Sequence, residues 1–224
     1  PSLVLVENKN SDFPPLTELI CKEKKIKFSR IDSLLEFRQE IASSDVNIVS
    51  SYGKKITAEE LGLGDLFNLH PSILPEYKGP SPIFWSLREG KKEFGASIHT
   101  ITENLDEGEV VASGRFELNN PFSTDIVSEI YDFAGNLLVK WIRGESEIVD
   151  NSKINPSYFS FPSEKDFIVD LKWHIEHIIM FVNSIKFFGD PKIKFPNGEI
   201  RHIDSIHLLS SSKNSENSEF KVID

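Results

Sequence analysis

Leu3-Val4-Leu5-Val6, followed by Pro14-Pro15-Leu16-Thr17-Glu18-Leu19-Ile20, reads as strand, loop and helix, and the chain repeats that alternation downstream. A short, partly β-branched apolar run suits a buried strand, and a proline pair suits a first helical turn. Ile26 to Ile31 continues the pattern as a strand, Ser33 is placed to cap a helix over Leu34 to Ala42, and Val46-Asn47-Ile48-Val49 is a second buried strand. Beyond the turn at Tyr52-Gly53, a short helix at Ala58 to Leu61 leads into the strand Leu66 to Leu69. Strands alternating with helices predict an α/β fold: a Rossmann-like, mostly parallel sheet with helices on both faces.

The second half departs from this alternation. Gly95 to Thr102 and Val110 to Leu118 are expected strands, and Thr124 to Trp141 an amphipathic helix. Its stripe Ile126, Ile130, Phe133, Leu137 and Trp141 recurs at three- and four-residue steps, as core packing does. Asn151 to Ser163, with two prolines and several serines, is the natural linker. The domain expectation is therefore a unit over 1–150 and a linker with a small subdomain over 151–224, made of a helix near Leu171 to Phe187 and a hairpin. The hairpin would join Lys192-Ile193-Lys194-Phe195 to Ile200 through Leu208 across Pro196-Asn197-Gly198. Ser210 to Ser218 reads as a polar loop, and the chain carries no internal repeat.

A length of 224 residues is enough for one substantial domain and an appendage without disulfides or a structural metal. With 25 Lys+Arg against 35 Asp+Glu the net charge is −10, so composition disfavours a nucleic-acid partner, whose phosphates call for a positive field. The single cysteine, Cys21, offers neither an internal disulfide nor a metal cluster, so no metal site is expected. No apolar run reaches the roughly 20 residues of a membrane span, and no signal peptide is legible, so the expected location is cytoplasmic.

Chemistry concentrates in Phe67-Asn68-Leu69-His70-Pro71-Ser72-Ile73-Leu74-Pro75-Glu76-Tyr77-Lys78-Gly79. Asn68 and His70, two apart on a strand, project from one face near its carboxyl end, where open α/β sheets place their sites. Asn104-Leu105-Asp106-Glu107-Gly108 brings a carboxylate to a second loop at the same edge. Spacing alone favours a bland reading: a hydrogen-bonded strand-end histidine and an ordinary Asp-Glu-Gly turn. The trio is nonetheless chemically coherent for acyl transfer. An imidazole can relay an amine proton, a carboxamide N–H can donate to an oxyanion, and a carboxylate can orient the imidazole.

Asn68 to Val111 carries, in order, Asn-Leu-His-Pro-Ser-Ile-Leu-Pro-Glu-Tyr-Lys-Gly, Pro-Ile-Phe-Trp, Gly-Ala-Ser-Ile-His and Leu-Asp-Glu-Gly-Glu-Val, and resembles the folate-dependent formyltransferases. The resemblance extends more weakly from about residue 3 to residue 145. It implies Asn68, His70 and Asp106 as the catalytic set, with 10-formyltetrahydrofolate as cosubstrate in a pocket beside them. The loop Tyr52 to Ile56 and the stretch Ile101 to Asp106 would form the pocket's two walls through mainly backbone contacts, making Lys54, Ile56, Ile101 and Asp106 cofactor-binding positions. The ammonium groups of Lys54 and Lys55 read more simply as solvated. The family normally begins one strand and one helix earlier, which raises the expectation of an N-terminally shortened chain.

Three acceptors compete under this resemblance. The acidic balance demotes initiator methionyl-tRNA; Ser97-Ile98-His99 and Leu105-Asp106-Glu107-Gly108 suggest the glycinamide ribonucleotide enzymes, but Lys78-Gly79-Pro80-Ser81-Pro82-Ile83-Phe84-Trp85 is similar instead to the tRNA and sugar enzymes. Phe84-Trp85 with Tyr158-Phe159-Ser160-Phe161-Pro162 is most similar to the sugar N-formyltransferases of lipopolysaccharide O-antigen biosynthesis. The leading expectation is therefore a nucleotide-linked amino sugar such as dTDP-4-amino-4,6-dideoxyglucose, with Lys78, Trp85 and Tyr158 as substrate-binding residues and a homodimeric assembly. A formyltetrahydrofolate hydrolase and an inactive folate-binding protein remain alternatives.

Overall fold

The computed structural model describes residues 2–7, 14–118, 120–204 and 206. In chain order the elements are β1 (Leu3–Glu7), α1 (Pro14–Lys24), β2 (Lys27–Ile31), α2 (Arg38–Ala42), β3 (Asn47–Val49), α3 (Ala58–Leu61), β4 (Leu66–His70), α4 (Pro82–Arg88), β5 (Glu93–Thr100), β6 (Val110–Glu117), α5 (Ile126–Ile142), β7 (Ile168–Val169), α6 (Ile175–Ser184), β8 (Lys192–Lys194) and β9 (Ile200–His202). β1 pairs with β2 in parallel, and β3 with β4 in parallel. β4, β5 and β6 then continue the second sheet antiparallel, in the order β3-β4-β5-β6. The chain is thus α/β: the β1–β2 and β3–β4 pairings before residue 70 are parallel, β4–β5, β5–β6 and β8–β9 are antiparallel, and β7 joins β8 in parallel in a third sheet.

Local signals explain most boundaries. Thr57 caps α3 through a capping box with Glu60. Ser33 forms the equivalent box with Glu36, but the helix it opens is first a single 3₁₀ turn over Leu34–Phe37 and only then α2. Glu60 does double service, since its Oε1 also accepts from Ser33 Oγ at 2.7 Å and Leu34 N at 3.0 Å, tying the two helix starts together. Two elements went unread in the sequence. α4 is seven residues long, too short for a periodic signal, yet Pro82 sits at its start and Phe84 and Leu87 are fully buried. β7 has two residues and is held by its parallel neighbour β8.

Alternation along β5 separates the protein's two jobs. Ala96 and Ile98 face α5, where they pack with Ala112, Ala134 and Leu137 and against Phe133 and Trp141; the expected stripe is divided, its Leu137, Phe133 and Trp141 lying here and its Ile126 and Ile130 in a second cluster. Burying a side chain of this kind contributes about 1.5–3 kcal/mol for the larger residues. Ser97 and His99 point the opposite way, Ser97 bonding the loop after β4 and His99 facing Asn68 and Asp106. A second cluster joins Ile83, Phe84 and Leu87 of α4 and Ile126 and Ile130 of α5 to Ile178, Phe181 and Val182 of α6 and Ile193 of β8. The C-terminal helix and hairpin therefore share apolar contacts with α4 and α5. The hairpin forms with shorter arms than read, Lys192–Lys194 and Ile200–His202, and Gly198 at φ 88° in its turn; Leu208 and Ser210 to Ser218 lie outside the described residues.

Candidate active site

β4 and β5 set four polar side chains at one edge. Antiparallel register puts Asn68 opposite His99 and His70 opposite Ser97, all on one face. Asn68 Nδ2 lies 3.1 Å from His99 Nε2 and 3.4 Å from Asp106 Oδ1. Asp106 Oδ1 is also 3.4 Å from His99 Nε2 and 3.8 Å from His70 Nδ1, while Oδ2 accepts from Gly79 N at 2.8 Å. His70, His99 and Asp106 are 4%, 2% and 6% exposed, so these groups interact largely shielded from water. Sequence reasoning missed His99 as a site residue. Its signal was available in Ser97-Ile98-His99, but only the cross-strand register reveals that it faces Asn68.

The two imidazoles are polarised in definite directions. His70 Nε2 donates to the Tyr77 carbonyl at 2.9 Å, so a neutral ring offers Nδ1 as a lone pair toward Asp106. Burial pushes the His70 pKa below its usual value, opposed by Asp106 and the Tyr77 carbonyl, and reinforced by His99. His99 Nδ1 donates to the Thr100 carbonyl at 2.8 Å. Its Nε2 then accepts from Asn68 when neutral and donates to Asp106 when protonated. Burial pushes Asp106 up, but hydrogen bonding to His99, the nearby His70 and the Gly79 N–H outweigh it, leaving the carboxyl below its ordinary value.

Backbone geometry fixes the carboxylate. Asp106 has φ 52°, in the left-handed region that aspartate tolerates better than most residues. Two residues on, a Cβ added to Gly108 would lie 1.7 Å from the Thr100 carbonyl oxygen, so only glycine lets the loop lie against the end of β5. Gly79 meets the same limit on the other loop: φ is 108°, and a Cβ there would come within 2.0 Å of the Phe159 carbonyl oxygen.

Asn68, His70, His99 and Asp106 open into a cleft of about 940 Å³ lined by Ser51 to Ile56 on one side and Ile101 to Glu107 on another. Ile56 and Ile101 both line the cleft and pack in the small core behind it. Gly53 N donates to the buried Glu7 Oε2 at 2.6 Å, pinning this loop to the end of β1. Lys54 is occupied by Glu7 at 3.7 Å and by the Asp32 carbonyl, so its ammonium is a structural tie. Of the expected acceptor-side residues, Tyr158 lines the cleft and is 61% exposed. Lys78 is paired with Glu107 at 3.2 Å. Trp85 is absent from the cleft lining; its indole donates to the Ser160 carbonyl at 2.9 Å and stacks on Phe159 at 4.8 Å.

The family model described as formyl transferase matches residues 7–140. The chain belongs to the formyl transferase family. Among curated relatives, a methionyl-tRNA formyltransferase of Borrelia duttonii is 29% identical over 163 residues, covering 70% of this chain and 52% of the relative. The chain spans about half the length of the curated relatives it matches. Among solved structures, HypX from Aquifex aeolicus in complex with tetrahydrofolic acid superposes with a TM-score of 0.60 at 18% identity, covering 97% of this chain and 39% of that one. A sugar N-formyltransferase from Shewanella gives 0.58 at 15%, covering 93% and 98%. At such identities the two structures speak to fold. Relatives named for a tRNA substrate, from Borrelia to Thermotoga and Helicobacter, overturn the expectation, drawn from net charge, that a nucleic-acid partner is unlikely. Net charge sums the whole chain, whereas binding depends on the field at one surface. Among the described residues no helix is long and apolar enough to cross a membrane.

Proposed function

We propose that this protein transfers the formyl group of 10-formyltetrahydrofolate to a primary amine, and that the amine is the α-amino group of methionyl-tRNA. The observation that carries the chemistry is the convergence of Asn68, His70, His99 and Asp106 on one cleft, in a chain that belongs to the formyl transferase family. The acceptor follows the curated relatives, which are named for that substrate.

The cleft walls formed by residues 51–56 and 101–107 suit a flat heterocycle read by backbone groups, which supports the carrier's placement there. The neutral amine attacks the formyl carbon, forming a C–N bond and a tetrahedral oxyanion. His70 Nδ1, unprotonated at neutral pH, accepts the amine proton. Asp106 stabilises the resulting imidazolium from 3.8 Å. An Asn68 N–H, whose contact to Asp106 is a long 3.4 Å, turns to the oxyanion. Collapse breaks the bond from the formyl carbon to N10, which receives the proton, releasing tetrahydrofolate and the formamide.

The test is absorbance-monitored tetrahydrofolate release with methionyl-tRNA, a nucleotide-linked amino sugar and glycinamide ribonucleotide as separate acceptors, and with none. Turnover with methionyl-tRNA supports the proposal. Turnover with the amino sugar alone would replace the acceptor and give Tyr158 and Phe161, exposed at the cleft, the part of stacking on its base. Release without any acceptor would make the reaction a hydrolysis.

A further inference from the structure

The imidazole of His70 sits between two acceptors that compete for its single neutral-state proton. Tyr77 O is 2.9 Å from Nε2, and Asp106 Oδ1 is 3.8 Å from Nδ1. A carboxylate is the stronger acceptor, so the ring carries its proton on Nε2 only while the Tyr77 carbonyl stays close and aligned. The alternative tautomer, with Nδ1–H turned to Asp106, has no lone pair on the cleft side.

Tyr77 is not held in place by its own loop alone. Its backbone has φ 55°, in the left-handed region, where a bulky residue needs outside support. That support comes from a stretch 80 residues downstream, beyond the matched family region. Tyr77 N donates to Ser157 Oγ at 2.8 Å, Lys78 N to the Ser157 carbonyl at 3.0 Å, and Phe159 N to the Lys78 carbonyl at 2.9 Å. Lys78 and Tyr158 thereby form a parallel β-bridge. The Phe159 ring stacks on Tyr77 at 5.5 Å and on Trp85 at 4.8 Å, and the Trp85 indole closes the clamp on the Ser160 carbonyl. The Tyr77 hydroxyl is bonded to Glu89, so both ends of the residue are fixed.

We infer that Ser157-Tyr158-Phe159 is a positioning strap for His70: by fixing the Tyr77 carbonyl it keeps the imidazole proton on Nε2 and leaves Nδ1 to take the proton of the acceptor amine. The role of Nδ1 rests on the proposed formyl transfer; the tautomer does not. This also gives Trp85 a place in the site's architecture, as the anchor of the strap.

The test combines ¹⁵N-histidine NMR on the intact protein with steady-state kinetics, for the parent, Ser157→Ala, Phe159→Ala and the conservative Ser157→Thr and Phe159→Tyr, with His70→Gln to assign the signal. The parent is expected to show a single neutral tautomer with Nε2 protonated. Both alanine variants are expected to shift population to Nδ1–H and to lose about tenfold in kcat with the folate KM within about twofold. The conservative variants are expected to restore both readouts. A parent already protonated on Nδ1 overturns the inference, as does a kcat loss in folded variants with the tautomer unchanged, which marks the strap as merely structural. Alanine variants with unchanged tautomer and kcat overturn it too. If the parent transfers formyl to no acceptor and the tautomer still shifts in Ser157→Ala, the reading of the reaction fails while the strap stands.

Discussion

Asp106→Asn separates the electrostatic role of the carboxylate from its structural one. Asparagine tolerates the left-handed φ of 52°, and its carbonyl oxygen can still accept from Gly79 N, which lies 2.8 Å from Oδ2. What disappears is the negative charge 3.8 Å from His70 Nδ1. At an effective dielectric of about 20, an opposite-charge pair near 4 Å is worth about 4 kcal/mol. If the imidazolium forms during proton transfer, losing that attraction slows turnover by about a thousandfold. The assay is steady-state tetrahydrofolate release at saturating carrier and acceptor, with circular dichroism and a thermal melt confirming the fold. A folded Asp106→Asn protein that retains turnover within about tenfold of the parent would refute the assignment of Asp106 as the imidazolium's counter-charge.

Three further outcomes are expected. Gly108→Ala drives a methyl group to 1.7 Å from the Thr100 carbonyl oxygen, so the Asp106 loop must shift; thermal unfolding should show a loss of about 1–3 kcal/mol, and activity should fall with it. Glu7→Ala frees the Gly53 N–H from a charged acceptor at 2.6 Å; tetrahydrofolate affinity by calorimetry should weaken by about tenfold with kcat little changed, and an unchanged Kd would remove Glu7 from the pocket's support. Burial depresses the folded-state pKa of His70, so the unfolded chain binds more protons; its contribution is complete above the ordinary value of 6.5 and is lost as pH falls from there through the folded pKa. His177, also held low by burial, acts in the same direction, so the measurement is the parent's melting midpoint against pH minus that of His70→Gln. A difference flat below pH 6.5 would contradict a buried neutral His70.

The early α/β alternation was legible because most elements there carry a local signal: β-branched residues in β1 and β3, capping boxes at Ser33 and Thr57, a proline pair for α1. The antiparallel turn of the sheet after His70 was not, since strand direction depends on where the chain re-enters, which no local residue states. The site divided in the same way. Asn68, His70 and Asp106, which the fold brings together at the cleft, stand in two ordered motifs. His99 needed the β4–β5 register, and Glu7 lies 46 residues from the Gly53 N–H that it accepts. An aromatic near a site motif reads equally as substrate platform or as packing, and only the fold shows the Trp85 indole bonded to Ser160 and stacked on Phe159. Net charge misled for a simpler reason, being a sum with no location.

The most direct measurement follows the formyl carbon itself. Incubating the protein with 10-formyltetrahydrofolate labelled in the formyl group and with methionyl-tRNA should place label on the methionyl amine, and His70→Ala should reduce that transfer by about a hundred- to ten-thousandfold. Label that never reaches the amine, or reaches it equally in the parent and in a folded His70→Ala protein, would contradict formyl transfer through this site.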